Sequence, residues 1–207
     1  MAAMAAPRSL RRLVTAALLA FLAACAREPP RTPPPVSGCL DALRAAGLLV
    51  EAWDAPASGA CRVEAPVRLA RTGLGFDRPL ETSCPLALAW LRFETEIRAI
   101  ARRELGREPR GVIHMGSHAC RRMTGNAGRA SLHARALALD LVGFEFPDGS
   151  RVTVFEDWSD RGPRGRFLRA VAKAACRHFA MVLTPRSDRF HLDHLHLDLG
   201  PFVRCDA

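Results

Sequence analysis

The chain has 207 residues, which suits one domain with appendages rather than two full domains. About half of them (49%) are apolar, so a packed core is affordable and a disordered polyelectrolyte is excluded. The formal charge is +9, and a single lysine, Lys173, stands among 30 basic residues. No cluster of those arginines is interleaved with aromatics, which argues against nucleic acid as a partner.

Arg8, Arg11 and Arg12 precede an apolar run from Leu13 to Ala24. That pattern predicts a signal peptide over residues 1–24, too short for a comfortable membrane span. It ends in Leu22-Ala23-Ala24-Cys25, which resembles a bacterial lipobox. Cys25 is therefore expected to carry lipid and to hold the protein on a membrane; Ala26 after it implies the outer membrane by the same resemblance. Ordinary secretion with an unmodified thiol is the competing reading. Residues 25–37 contain Pro29-Pro30 and Pro33-Pro34-Pro35, a stiff extended tether. The folded domain is expected over 38–207, in the periplasm and as a monomer.

Six cysteines remain in that domain: Cys39, Cys61, Cys84, Cys120, Cys176 and Cys205. An exported chain with an even number predicts three disulfides, and six cysteines allow 15 pairings between which the sequence does not choose.

Cys39 to Ala46, closed by Gly47, reads as a short helix, and Val63 to Leu69 as a strand. Ser83 is expected to cap the strongest helix, which runs to about Leu105 with Gly106 as its stop. Its Leu86, Trp90, Phe93, Ile97 and Ile100 recur at helical spacing and belong to a core. Gly111 to His118 reads as a strand with His114 as a satisfied interior histidine, and Arg121 to Arg129 as a loop. A strand carries Asp140 and continues through Phe144 and Phe146 to a turn at Asp148-Gly149; Val152 to Phe155 returns. Pro163 starts a helix to about Phe179, Ala180 to Leu183 is a strand, and Thr184 to Arg189 is a turn. The order predicts an α+β fold, with helices flanking a mainly antiparallel sheet stapled by disulfides.

Two stretches carry the chemistry. In His191-Leu192-Asp193-His194-Leu195-His196-Leu197-Asp198, polar and apolar residues alternate. A strand there puts His194, His196 and Asp198 on one face and Leu195 and Leu197 on the other, toward the core. In the other stretch, His133 precedes Asp140 by seven residues, on a loop leading into a strand. Two imidazoles on one face and a carboxylate match a hydrolytic zinc site, which takes three protein ligands and leaves one position open.

The pattern Ser131-x-His133-x6-Asp140 followed by His194-x-His196 resembles the zinc peptidases of the LAS group, M15 type, which include D-Ala-D-Ala carboxypeptidases and murein endopeptidases. More closely, Gly116-Ser117-His118-Ala119-Cys120-Arg121, Ser131-x-His133-Ala134-Arg135, Gly143-Phe144, Asp157-Trp158 and His191-x-Asp193-His194 resemble the bacterial extensin-like C-terminal domain family, over Cys39 to Cys205. The chain departs from the family pattern at His118, Leu132 and Ala136. The resemblance implies an M15/LAS-like fold of the hedgehog/DD-peptidase type. It implies His133, Asp140 and His196 as zinc ligands, His194 as general base, and Arg121 (or Arg122) as the cation that meets the oxyanion. Ser131 is expected to hold the loop or a ligand by hydrogen bonding. Asp193 and Asp198 are expected to orient imidazoles, and His191 to support structure. The implied partner is peptidoglycan or its stem peptides, cleaved as a D,D-carboxypeptidase or endopeptidase. The competing expectation is a non-catalytic peptidoglycan-binding or scaffolding lipoprotein on the same fold.

Overall fold

A computed structural model describes residues 36–123 and 126–207. The expected signal peptide, Cys25 and the prolines of the tether lie outside the described residues. Among the described residues no helix is long and apolar enough to cross a membrane.

The fold is α+β, built on an eight-stranded mixed sheet. Helix α1 (Val36–Ala45) begins inside the expected tether. Strands β1 (Pro66–Arg71) and β2 (Gly75–Ser83) run straight into helix α2 (Cys84–Leu105). Then come β3 (Gly111–Gly116), a ribbon of β4 (Arg122–Met123) and β5 (Asn126–Ala130), and β6 (Ala138–Glu145). After β7 (Arg151–Thr153) follow a helical turn α3 (Val154–Asp157) and helix α4 (Pro163–Ala175). Strands β8 (Met181–Leu183), β9 (Leu195–Asp198) and β10 (Arg204–Cys205) complete the chain.

The sheet order is β1-β2-β3-β6-β9-β8-β10, with β7 also on β6. The β1–β2, β3–β6, β6–β7, β6–β9 and β8–β9 pairs are antiparallel; β2–β3 and β8–β10 are parallel. The antiparallel expectation thus needs correcting to a mixed sheet. The parallel pairs arise because α2 carries the chain from β2 back to β3, and a long return brings β10 beside β8.

Helices α2 and α4 pack together over one face of the sheet. Trp90, Phe93, Ile97, Phe167 and Val171 from them join Leu139, Leu141, Phe144, Phe146, Leu195 and Leu197 from the strands in one core. Strand parity alone would send Leu139 and Phe144 to opposite faces. A register shift solves this: Ile113 pairs Gly143 and His114 pairs Leu141, so Val142 has no partner opposite and both sets point inward. Because the core side of β6 and β9 is taken by leucines, Asp140 and His196 are left to the face that no helix covers.

Helix α2 stops where Gly106 adopts φ of 70°, a left-handed conformation that suits glycine. Its start differs from a side-chain cap: Ser83 Oγ instead donates to Ala136 O at 2.8 Å, tying the helix to the segment between the two metal-motif elements. Within α2, Glu94 is buried and accepts hydrogen bonds from Leu74 N, at 2.9 Å, and from Thr72 Oγ1. A Cβ at Gly73 would meet Glu94 Oε1 at 2.2 Å, so the β1–β2 turn needs glycine there.

Several element boundaries differ from expectation. Gly75–Ser83, for which no element is expected, is a strand. Residues 121–129 include the β4–β5 ribbon rather than a plain loop. The return strand ends at Thr153, whose hydroxyl accepts from Glu156 N and turns Val154 to Asp157 into a helix. The last long helix ends at Ala175, four residues early. The disulfides are Cys39–Cys84, Cys61–Cys120 and Cys176–Cys205.

Candidate metal centre

The two motifs meet. Asp140 on β6 and His196 on β9 are direct cross-strand partners in the central ladder. His133 reaches them from a 3-10 turn, Leu132–Arg135, whose cap is the Ser131 hydroxyl accepting from His133 N. The turn ends at Ala136 with φ of 51°, a strained conformation for alanine, held by its N–H donating to His133 O.

Three atoms face one another: His133 Nε2, Asp140 Oδ1 and His196 Nδ1. Their separations are 3.1 Å (His133–Asp140), 3.0 Å (His196–Asp140) and 3.2 Å (His133–His196). Zinc with bonds of about 2.0–2.1 Å in tetrahedral geometry holds its donors about 3.3 Å apart, so the triangle has nearly the size of one tetrahedral face.

The outer partners decide which nitrogens carry protons. His133 Nδ1 lies 3.0 Å from the Ser117 carbonyl, which only accepts, so Nδ1 donates. His196 Nε2 lies 3.1 Å from Asp198 Oδ2 and donates to it. With both imidazoles neutral, the two inner nitrogens are bare lone pairs beside a carboxylate oxygen. Three acceptors at that spacing repel one another and can be bridged by a cation, and the donor set is of the His/carboxylate kind that zinc takes. In the protein alone a proton relieves the same repulsion. Burial works against a charged His196, but the Asp140 and Asp198 carboxylates outweigh it and push its pKa up to about 9. Burial likewise opposes ionised Asp140, and hydrogen bonds from His133 and His196 overcome it and hold the carboxyl far below its usual range.

His194 sits one residue before β9 rather than on it, yet stays beside the cluster with Nε2 3.5 Å from Asp140 Oδ1. Its Nδ1 pairs with Asp193 at 2.8 Å. Asp193 and Asp198 thus both hold imidazoles. His191 contributes nothing to the triangle; Asp188 binds its Nδ1 at 2.8 Å and its ring lies 5.1 Å from that of His194. His114 is buried, with Nε2 donating to Arg78 O at 3.1 Å, but Nδ1 has no hydrogen-bond partner, so it is only half satisfied.

Asp140, His191, His194, His196 and Asp198 line one cleft of ≈ 590 Å³, while His133 is buried and His133, Asp193 and His114 are not among its lining residues. Arg121 lines it, placed by its carbonyl accepting from Ser131 N at 3.1 Å. Sequence reasoning missed Met115, Phe190, Phe202 and Arg204 on the same walls. They are single residues on loops or short strand ends, with no periodicity to mark them.

The family model described as "Extensin-like protein C-terminus" matches residues 37–206. The chain belongs to the extensin-like C-terminal family. The match spans the whole described domain, so all three disulfides and both halves of the His/Asp cluster fall within the family region. No curated protein and no solved structure matches the chain.

Proposed function

We propose that this extensin-like domain is a zinc-dependent peptidase acting on peptidoglycan peptides in the cell envelope, on an M15-like fold. The observation that supports it is the triangle of one nitrogen each from His133 and His196 with one Asp140 oxygen, two of whose residues, Asp140 and His196, line an open cleft. The reading also takes Cys25 as a lipid anchor on the outer membrane, holding the domain beside the wall.

His133, Asp140 and His196 hold the ion. Zinc at such a site polarises a scissile carbonyl and brings the pKa of a water toward neutrality. His194 accepts the water's proton at Nε2, because Asp193 keeps the proton on Nδ1. Once protonated, His194 is held by Asp193 and by Asp140 at 3.5 Å, and can return the proton to the leaving amine. Arg121 supplies positive charge for the oxyanion from the cleft wall.

The experiment is metal analysis of the oxidised, purified protein, paired with mass spectrometry of muropeptides. About one zinc per chain and new cleavage products are expected, and His196→Ala should lose both. A His196→Ala protein that digests crosslinked peptidoglycan at the wild-type rate sinks the reading. Binding without turnover by the zinc-loaded protein favours the scaffolding alternative.

A further inference from the structure

Eight large apolar side chains are exposed among the described residues, and four of them line the one cleft: Met115 (48% exposed), Met123 (41%), Phe190 (52%) and Phe202 (54%). Isolated exposed apolar residues are ordinary; their convergence around a polar floor marks a binding surface. The sheet order places them on both sides of that floor. Met115 belongs to β3, on the β6 side of the Asp140–His196 pair. It sits in a register shift of the β3–β6 ladder, between His114 and Gly116, with no partner opposite. Phe190 lies in the connection from β8 to β9, and Phe202 leads into β10, both on the far side.

The carboxylates of the cleft are already engaged. Asp140 serves both histidines, Asp198 serves His196 and Gly200 N, and Asp188 serves His191 and Phe190 N. Of the wall's arginines, Arg204 is paired with Asp206.

We propose that the cleft binds an extended peptide with apolar side chains on both sides of the bond that lies over Asp140 and His196, and that Met115, Phe190 and Phe202 set this preference. The inference rests on the peptidase reading and names its substrate class. An apolar side chain against Met115 on one flank, and another against Phe190 and Phe202 on the other, removes exposed apolar surface from water. A carboxylate beside the bond would lose its hydration against methionine and phenylalanine without a matching donor.

The test uses the zinc-supplied, oxidised protein and three fluorescein-labelled hexapeptides that differ only in the two residues flanking the central bond: leucine, alanine or glutamate. Binding is read by fluorescence anisotropy and cleavage by mass spectrometry. The leucine peptide should bind tightest, and the glutamate peptide at least about tenfold more weakly. The double variant Phe190→Ser/Phe202→Ser should lose about tenfold in affinity for the leucine peptide, with zinc content and melting temperature unchanged. Met115→Ala, on the opposite flank, should shift affinity in the same direction. Equal binding of the glutamate and leucine peptides overturns the inference, as does unchanged leucine-peptide affinity in both variants. If no hexapeptide is cut while the leucine preference and its loss in the variants persist, the apolar cleft stands, and the peptidase reading is decided separately by the muropeptide assay.

Discussion

Asp198 Oδ2 accepts from His196 Nε2 at 3.1 Å, two residues along the same strand, and this contact turns Nδ1 of His196 toward Asp140. A carboxylate in that place fixes the ring and raises its basicity as a ligand. Asp198→Asn keeps the shape but removes the charge. It should weaken zinc affinity about 10–100-fold while the fold melts as before. Competition against a chelator of known affinity measures this; an unchanged zinc constant would show that the Asp198 contact is only structural.

His194 tests the division between holding and reacting. It touches Asp140 at 3.5 Å and is bound by Asp193, but it is no corner of the triangle. His194→Ala should keep its zinc and lower turnover about 10²–10⁴-fold. Asp193→Asn should lower turnover less. Loss of metal in His194→Ala would instead make it a ligand.

The three disulfides are not equivalent for the cluster. Cys120 follows Ser117, whose carbonyl accepts from His133 Nδ1, and Ala119, whose N–H donates to His133 O. Cys61–Cys120 therefore staples the segment that aims His133. Cys61→Ala/Cys120→Ala should cost about 2–4 kcal/mol of stability and also weaken zinc binding. Cys39→Ala/Cys84→Ala, which frees α1 from the start of α2, should cost stability but leave zinc affinity in place. Denaturation curves and metal titrations on both variants separate the two effects.

Glu94 gives a pH signature away from the cleft. Burial raises its pKa above 4.5, against the opposing hydrogen bonds from Thr72 and Leu74. The folded state therefore binds this proton more tightly than the unfolded chain. Its stabilising effect is full below about pH 4.5 and fades as pH rises through the higher folded value. Glu94→Gln should remove that slope: its melting temperature should change less between pH 4.5 and 7 than the wild type's. Parallel melting curves for the two proteins would mean that Glu94 titrates normally.

The parts of this fold that obey a repeat could be read before folding. The apolar spacing of Leu86 to Ile100 marked α2, and the alternation from His194 to Asp198 put Leu195 and Leu197 inside and His196 outside. Strand β2 could not be read that way. Its stretch Gly75 to Ser83 carries Asp77, Arg78, Pro79 and Glu81, and its membership in the sheet comes from neighbours β1 and β3. The Val142 register shift is equally invisible in the chain, since it exists only in pairing with β3. At the site, the triangle's residues carried a spacing signature. The Phe190, Phe202 and Arg204 walls did not: they lie within eight residues of the His194–His196 motif, in a 3-10 turn and at the entry to β10, with no repeat to mark them.

Strands β6 and β9 seat Asp140 opposite His196 by backbone pairing alone, in the middle of the sheet. Two of the triangle's corners thus need no ion to find each other, and the third swings in on a short turn. A stripped protein should stay folded, with its slowest amide exchange along these two strands, and should reload without a lag when metal returns. The ion would then be an exchangeable guest in a finished cradle, and its supply in the envelope, rather than the folding of the chain, would set how many molecules stand armed.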